Sequence, residues 1–87
     1  METVFNWNDY KIKRDDLHII CYLDGDLLYC CEYTDNQHEY QLELKCRVKD
    51  FAIDEKKSVM KCKSFIIKHF GLKALEEIEI KLKEERG

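Results

Sequence analysis

Residues 40–48 read YQLELKCRV, and this stretch constrains the fold more than any other. Tyr40, Leu42, Leu44, Cys46 and Val48 alternate with Gln41, Glu43, Lys45 and Arg47. A period of two puts the five apolar side chains on one face of a strand and the four polar ones on the other. Such a strand belongs to an antiparallel sheet, dry on one face and wet on the other. The rest of the chain must extend that sheet or cover its dry face.

Upstream residues supply the extension. ETVFNW has no clean period, but DYKIK (9–13) alternates, so a first strand is expected within 3–13. Arg14-Asp15-Asp16 forms a charged turn. Residues 17–23, LHIICYL, are a second strand, with Leu17, Ile19, Cys21 and Leu23 on one face and His18, Ile20 and Tyr22 on the other. Asp24-Gly25 is a hairpin signal, because a tight turn needs a residue that tolerates positive φ. LLYCCEY (27–33) returns as a third strand, and TDNQH (34–38) supplies short polar side chains for the next turn. The fourth strand starts at Tyr40 and continues toward Phe51 and Ile53.

The period changes near Asp54, a candidate helix N-cap. Val59, Cys62, Ile66 and Phe70 recur at spacings of three and four, opposite Lys57, Lys61, Ser64 and Lys68. That is an amphipathic helix over about 55–70, ended by Gly71. Residues 72–85 fit both a helix (Leu72, Leu75, Ile78, Leu82) and a strand (Ile78, Ile80, Leu82). Glu77–Lys81 and Glu79–Lys83, spaced i, i+4 with the acid first, favour the helix. The expectation is one α+β domain over 1–87. A four-stranded antiparallel meander (about 3–53) is covered on one face by helices at about 55–70 and 72–85.

Size and composition narrow the function classes. A chain of 87 residues buries about 60% of its unfolded surface, which leaves a thin core and little room for a deep active site. Ten aromatic residues argue against disorder. No segment is long and apolar enough to span a bilayer, and METVFNWNDYK lacks the pattern of a secretory signal. No membrane association is expected, and the compartment is read as cytoplasmic. The absence of proline and the wealth of Lys, Ile, Asp and Glu resemble proteins of AT-rich genomes, including many phages.

Five cysteines and three histidines invite a zinc reading. Structural zinc needs ligands in close pairs on a turn. Cys30 and Cys31 point to opposite faces of a strand, Cys21 and Cys31 are expected across from one another on the core face, and Cys62 and His69 stand two helical turns apart. The five are read as reduced core thiols, with no metal and no cofactor. A cysteine nucleophile needs a nearby base. Cys62 with His69 and Cys30 with His18 are the pairings to weigh, and neither carries a local motif. No enzymatic activity is expected.

Charge is unevenly placed. Residues 1–53 carry six basic and eleven acidic groups, a balance of −5, and residues 54–87 carry nine and seven, a balance of +2. Asp15, Asp16, Asp24, Asp26 and Asp35 fall in or beside turns. Together they would form a negative patch suited to a partner protein with a basic surface. Ile20 and Tyr22 would present an apolar patch on the open sheet face beside it. The sequence therefore points to a small non-catalytic protein-binding module, a monomer or homodimer. Its size and composition suggest a phage- or virus-encoded inhibitor of a host defence or nucleic-acid-processing protein.

Nucleic acid is the alternative partner. Lys56 to Lys73 contains six lysines, one histidine and no acid, and Lys57, Lys61 and Lys68 share the exposed stripe. HFGLKALEEIEIKLKEERG (69–87) also resembles the closing segment of the C-terminal domain of the alpha chain of bacterial RNA polymerase. The shared features are a glycine, a lysine two positions on, and an apolar-patterned acidic helix. The resemblance implies that Gly71, Lys73 and Glu77 face DNA. It covers 19 of 87 residues, Ala74 stands where the family has a serine, and the family's preceding helix–hairpin half has no counterpart.

Overall fold

The computed structural model describes residues 5–36, 40–51, 53 and 55–86. Among these residues, four strands, β1 (Lys11–Arg14), β2 (Leu17–Asp24), β3 (Leu27–Thr34) and β4 (Tyr40–Arg47), pair antiparallel in sequence order. Three helices follow: a single turn α1 (Val48–Phe51), then α2 (Lys57–Phe70) and α3 (Leu72–Arg86). The fold is α+β, as the change of period predicts.

The start of the chain differs from the expectation. Trp7–Tyr10 is a 3-10 turn, and among the described residues of the expected 3–13 stretch the strand begins at Lys11, Thr3 and Val4 lying outside the described residues. Asn6 explains the turn, since its side-chain oxygen accepts from the Asn8 N–H at 3.0 Å. Phe5, Trp7 and Tyr10 then lie ring against ring, and Tyr10 reaches Phe70. The turn closes one side of the core, and Arg14 is the last paired residue of β1.

The end of the sheet also differs. The fourth strand stops at Arg47, and Val48–Phe51 coil into α1 instead of running on to Phe51 and Ile53. The Val48 N–H donates to the Asp26 carbonyl at 2.8 Å. Asp50 receives Arg47 at 3.2 Å and Lys56 at 3.1 Å. The Lys56 ammonium, with Arg47 beside it, holds the Asp50 carboxyl below the usual carboxylate range. These contacts turn the chain, so Phe51 drops into the core under the Lys63 side chain. The expected N-cap Asp54 lies outside the described residues. Lys56 holds the N-cap position of α2 and makes no side-chain capping bond there.

A register shift between Glu32 and Tyr33 changes the reading of β4. Glu32 pairs with Leu42, but Tyr33 pairs with Tyr40. The extra residue, Gln41, slips the alternation by one position, and a slip of one moves a side chain to the other face. Tyr40 therefore lies on the open face, opposite to where strict alternation places it.

The helices cover the other face. Ile19, Cys21, Leu28, Cys30 and Cys46 of the sheet meet Val59, Cys62, Phe65 and Ile66 of α2, Leu75, Ile78 and Leu82 of α3, and Phe51 of α1. α3 is a helix throughout, although its ion pairs are not the expected ones. Glu77 accepts from the Tyr10 hydroxyl at 2.7 Å, and Lys81 pairs with Glu85 at 3.0 Å. Tyr10 thus ties the N-terminal turn to α3.

The hairpin between β2 and β3 turns on Gly25, whose φ is +62. A Cβ there would meet no atom within 4 Å. The cost of Gly25→Ala is then backbone strain alone, about 1–2 kcal/mol. Urea denaturation of the variant should show that loss with an unchanged m-value.

Candidate interaction face

The sheet face turned away from the helices carries His18, Ile20 and Tyr22 of β2 and Tyr29, Cys31 and Tyr33 of β3. Tyr40, Glu43 and Lys45 of β4 and Lys11 and Lys13 of β1 complete it. The register puts aromatic residues directly opposite one another. Tyr22 stacks on Tyr29 with centroids 5.1 Å apart and planes at 8°, and His18 stacks on Tyr33 at 4.6 Å and 4°. Tyr40 meets Tyr33 edge-on at 5.7 Å, a contact that the bulge makes possible. Each such pair contributes about 0.5–1.5 kcal/mol beyond its area.

Cys31, opposite Ile20, is completely covered. Burial, with the Glu43 carboxylate nearby, pushes its thiol up to about 11. Burial also raises the Tyr22 phenol above its ordinary value, reinforced by the neighbouring Tyr40 hydroxyl. Beside the rings is a shallow depression of about 220 Å³ lined by Lys11, Ile12, Lys13, His18, Ile20 and Tyr33. Asp35 closes its end, bonded to His18 and to Lys13 at 3.2 Å. His18 first and Lys13 second hold the Asp35 carboxyl below the usual range.

Ile20 and Tyr22 are therefore on the open face, as β2 alternation requires. The five aspartates do not gather there. Asp15, Asp16 and Asp35 lie at one end of the sheet, where the Asp35 N–H donates to the Asp16 carbonyl at 3.0 Å. Asp24 and Asp26 flank the hairpin at the other end, about 25 Å away along eight-residue strands. Successive turns of a meander alternate between ends, so one joint negative patch does not form. Asp35 is already matched by two basic groups.

The cysteine geometry departs from the expectation as well. Cys21 faces Cys30, not Cys31, and donates to its sulfur at 3.6 Å. Cys62 of α2 lies beside Cys30 and Cys46, so four thiols from β2, β3, β4 and α2 meet in the core. Hydrogen bonding to Cys21 pushes the Cys30 thiol far up, and bonding to Cys62 does the same for Cys46. Bonding to Cys30 lifts Cys62 to about 12. Thiols held protonated in this way are poor nucleophiles. His69 bonds Glu32 at 3.0 Å and stacks edge-on against Phe65, and His18 lies on the face opposite Cys30. Neither of the cysteine–histidine pairings weighed from the sequence is assembled. Among the described residues, no group of three or more His, Cys, Asp or Glu side chains is arranged to hold a metal ion.

On α2, Lys57, Lys61 and Lys68 are exposed on one stripe, and Lys73 is exposed in the first turn of α3. Gly71 adopts φ +94 and donates to the Ile66 and Ile67 carbonyls, ending α2. Glu77 is exposed on α3 and accepts from the Tyr10 hydroxyl. Residues 40–48 carried no signal for the Tyr33–Tyr40 contact, which depends on the bulge. The Tyr22–Tyr29 pair was within reach once the hairpin register was drawn.

No helix of the described residues is long and apolar enough to cross a membrane. Comparison of the chain with protein-family models, with curated proteins and with solved structures gave no match.

Proposed function

We propose that the chain is a cytoplasmic, non-catalytic protein-binding module that engages its partner through the open sheet face. The supporting observation is the interlocked group His18, Tyr22, Tyr29, Tyr33 and Tyr40, centred on buried Cys31. Tyrosine offers large amphipathic contact area at low entropic cost, and rings already stacked have little freedom left to lose on binding. The charges around them are mixed: Lys11, Lys13 and Lys45 beside Glu43, with Asp35 at the margin. A protein surface of alternating charge and apolar area suits that pattern better than a uniformly anionic polymer. Small size and composition favour a phage or viral inhibitor of a host protein.

Affinity capture from host lysate tests the proposal when the partner is identified and the capture is repeated with variants. Tyr22→Ala with Tyr33→Ala should weaken retention of that partner by at least tenfold, in line with loss of central aromatic contacts. Lys61→Glu, on the far side of the molecule, should leave it unchanged. Equal retention by the tyrosine variant would overturn the assignment.

Nucleic acid along α2 is the second reading, favoured by exposed Lys57, Lys61 and Lys68. A salt-sensitive gel shift abolished by Lys61→Glu is its expected signature. Met60 and Ile67 weigh against it, since they stand exposed on the same side of α2 and phosphates have no use for them.

A further inference from the structure

Two exposed helix faces remain outside the sheet-face proposal, and they complement each other. On α2, Met60 is 50% and Ile67 44% exposed, two turns apart along one ridge. Lys57, Lys61 and Lys68 run beside that ridge, and none of the three makes an ion pair among the described residues. On α3, Ile80 is 63% exposed. One turn to either side of it stand Glu76, Glu77 and Glu84, with Lys83 as the single cation of that ring. One face is apolar within a cationic border, and the other is apolar within a mainly anionic one. A lone exposed aliphatic residue is ordinary, but three of them framed by opposite charges on neighbouring helices are a matched set.

We infer that the occupant of the α2 face is a second copy of this chain. Its α3 face meets α2, and the reciprocal contact forms about a twofold axis. Helices α2 and α3 are joined through Gly71 alone and pack on one another. Each copy thus presents both halves of the contact, which a closed, isologous dimer requires. The pairing takes Met60, Ile67 and Ile80 out of water and sets Lys57 and Lys61 against Glu76 and Glu84. It leaves the tyrosine face of each copy free, so the dimer would be bivalent toward its partner.

Sedimentation velocity of the full chain over a concentration series reads the outcome. The wild-type chain should dimerise, with a dissociation constant that rises as salt is added. Lys57→Glu/Lys61→Glu should raise that constant at least tenfold, and Glu76→Lys/Glu84→Lys should do the same. Mixing the two variants should restore dimers of one copy of each, because both reciprocal contacts then regain opposite charges. All four side chains are exposed, and circular dichroism of each variant checks that the fold is kept. A wild-type chain that stays monomeric would overturn the inference. So would a dimer indifferent to both charge reversals, or mixed variants that stay apart. A monomer whose α2 lysines instead bind nucleic acid or anionic vesicles also counts against it.

Discussion

Raising the pH from 8 to 11 should unfold this protein well before an ordinary domain of its size gives way. Four of the five thiols are pushed up in the folded state: Cys30, Cys31, Cys46 and Cys62. Cys31 reaches about 11 and Cys62 about 12, against an ordinary value of 9.0. In the unfolded chain all four ionise near pH 9, whereas in the folded chain they stay protonated. A group raised on folding gives stability that is complete below its unfolded pKa and is lost above it. The window therefore opens near pH 9 and extends to the folded values at 11 and beyond.

Each thiol contributes a slope of about 1.4 kcal/mol per pH unit once its unfolded form is ionised, so four give about 5 kcal/mol per unit. A domain of this length holds roughly 4–13 kcal/mol in all. Most of that should be gone by about pH 11. Urea midpoints measured from pH 7.5 to 10.5 check the slope. Cys46→Ala/Cys62→Ala should start from a lower midpoint because of the cavities it leaves, but its decline with pH should be roughly half as steep. A wild-type midpoint that stays level to pH 10.5 would mean that the thiols titrate freely in the fold.

Phe51→Ala should be the most damaging single truncation. The ring is fully buried at the end of a one-turn helix, where the sheet, α1 and α3 come together, and Lys63 lies 5.2 Å from its centroid. Removing it costs transfer free energy and leaves a cavity that the short helix cannot collapse to fill, about 3–5 kcal/mol together. That is roughly a quarter or more of the total stability expected for a chain of 87 residues. Leu42→Ala, at a residue 38% exposed on β4, serves as the comparison and should cost less than about 1 kcal/mol. Thermal and urea denaturation of the two variants side by side measure the difference.

The architecture was legible because burial imposes its period on the chain. Alternation in 17–23 and 40–48, and spacings of three and four after position 54, each mark one face that must leave water. That logic placed β2, β3, most of β4, and both long helices, and it turned Ile20 and Tyr22 outward. It failed where a local hydrogen bond outweighed the pattern. Asn6 capped a 3-10 turn ahead of a first strand that begins only at Lys11, and Asp50, held by Arg47 and Lys56, bent the end of β4 into α1.

The candidate face was legible only in part. Its β2 residues followed from alternation, but Tyr40 joined them through a bulge that no pattern of apolar and polar residues records. The separation of the aspartate turns needed only strand order, since alternate hairpins of a meander open at opposite ends. The chain alone thus determined which residues avoid water, because hydrophobic periodicity is a local property carried by neighbouring side chains. Tertiary structure decided which ring stacks on which, which thiols meet, and where each charge finds its partner. Those depend on register and on strands far apart in the chain, and a shift of one residue reverses them.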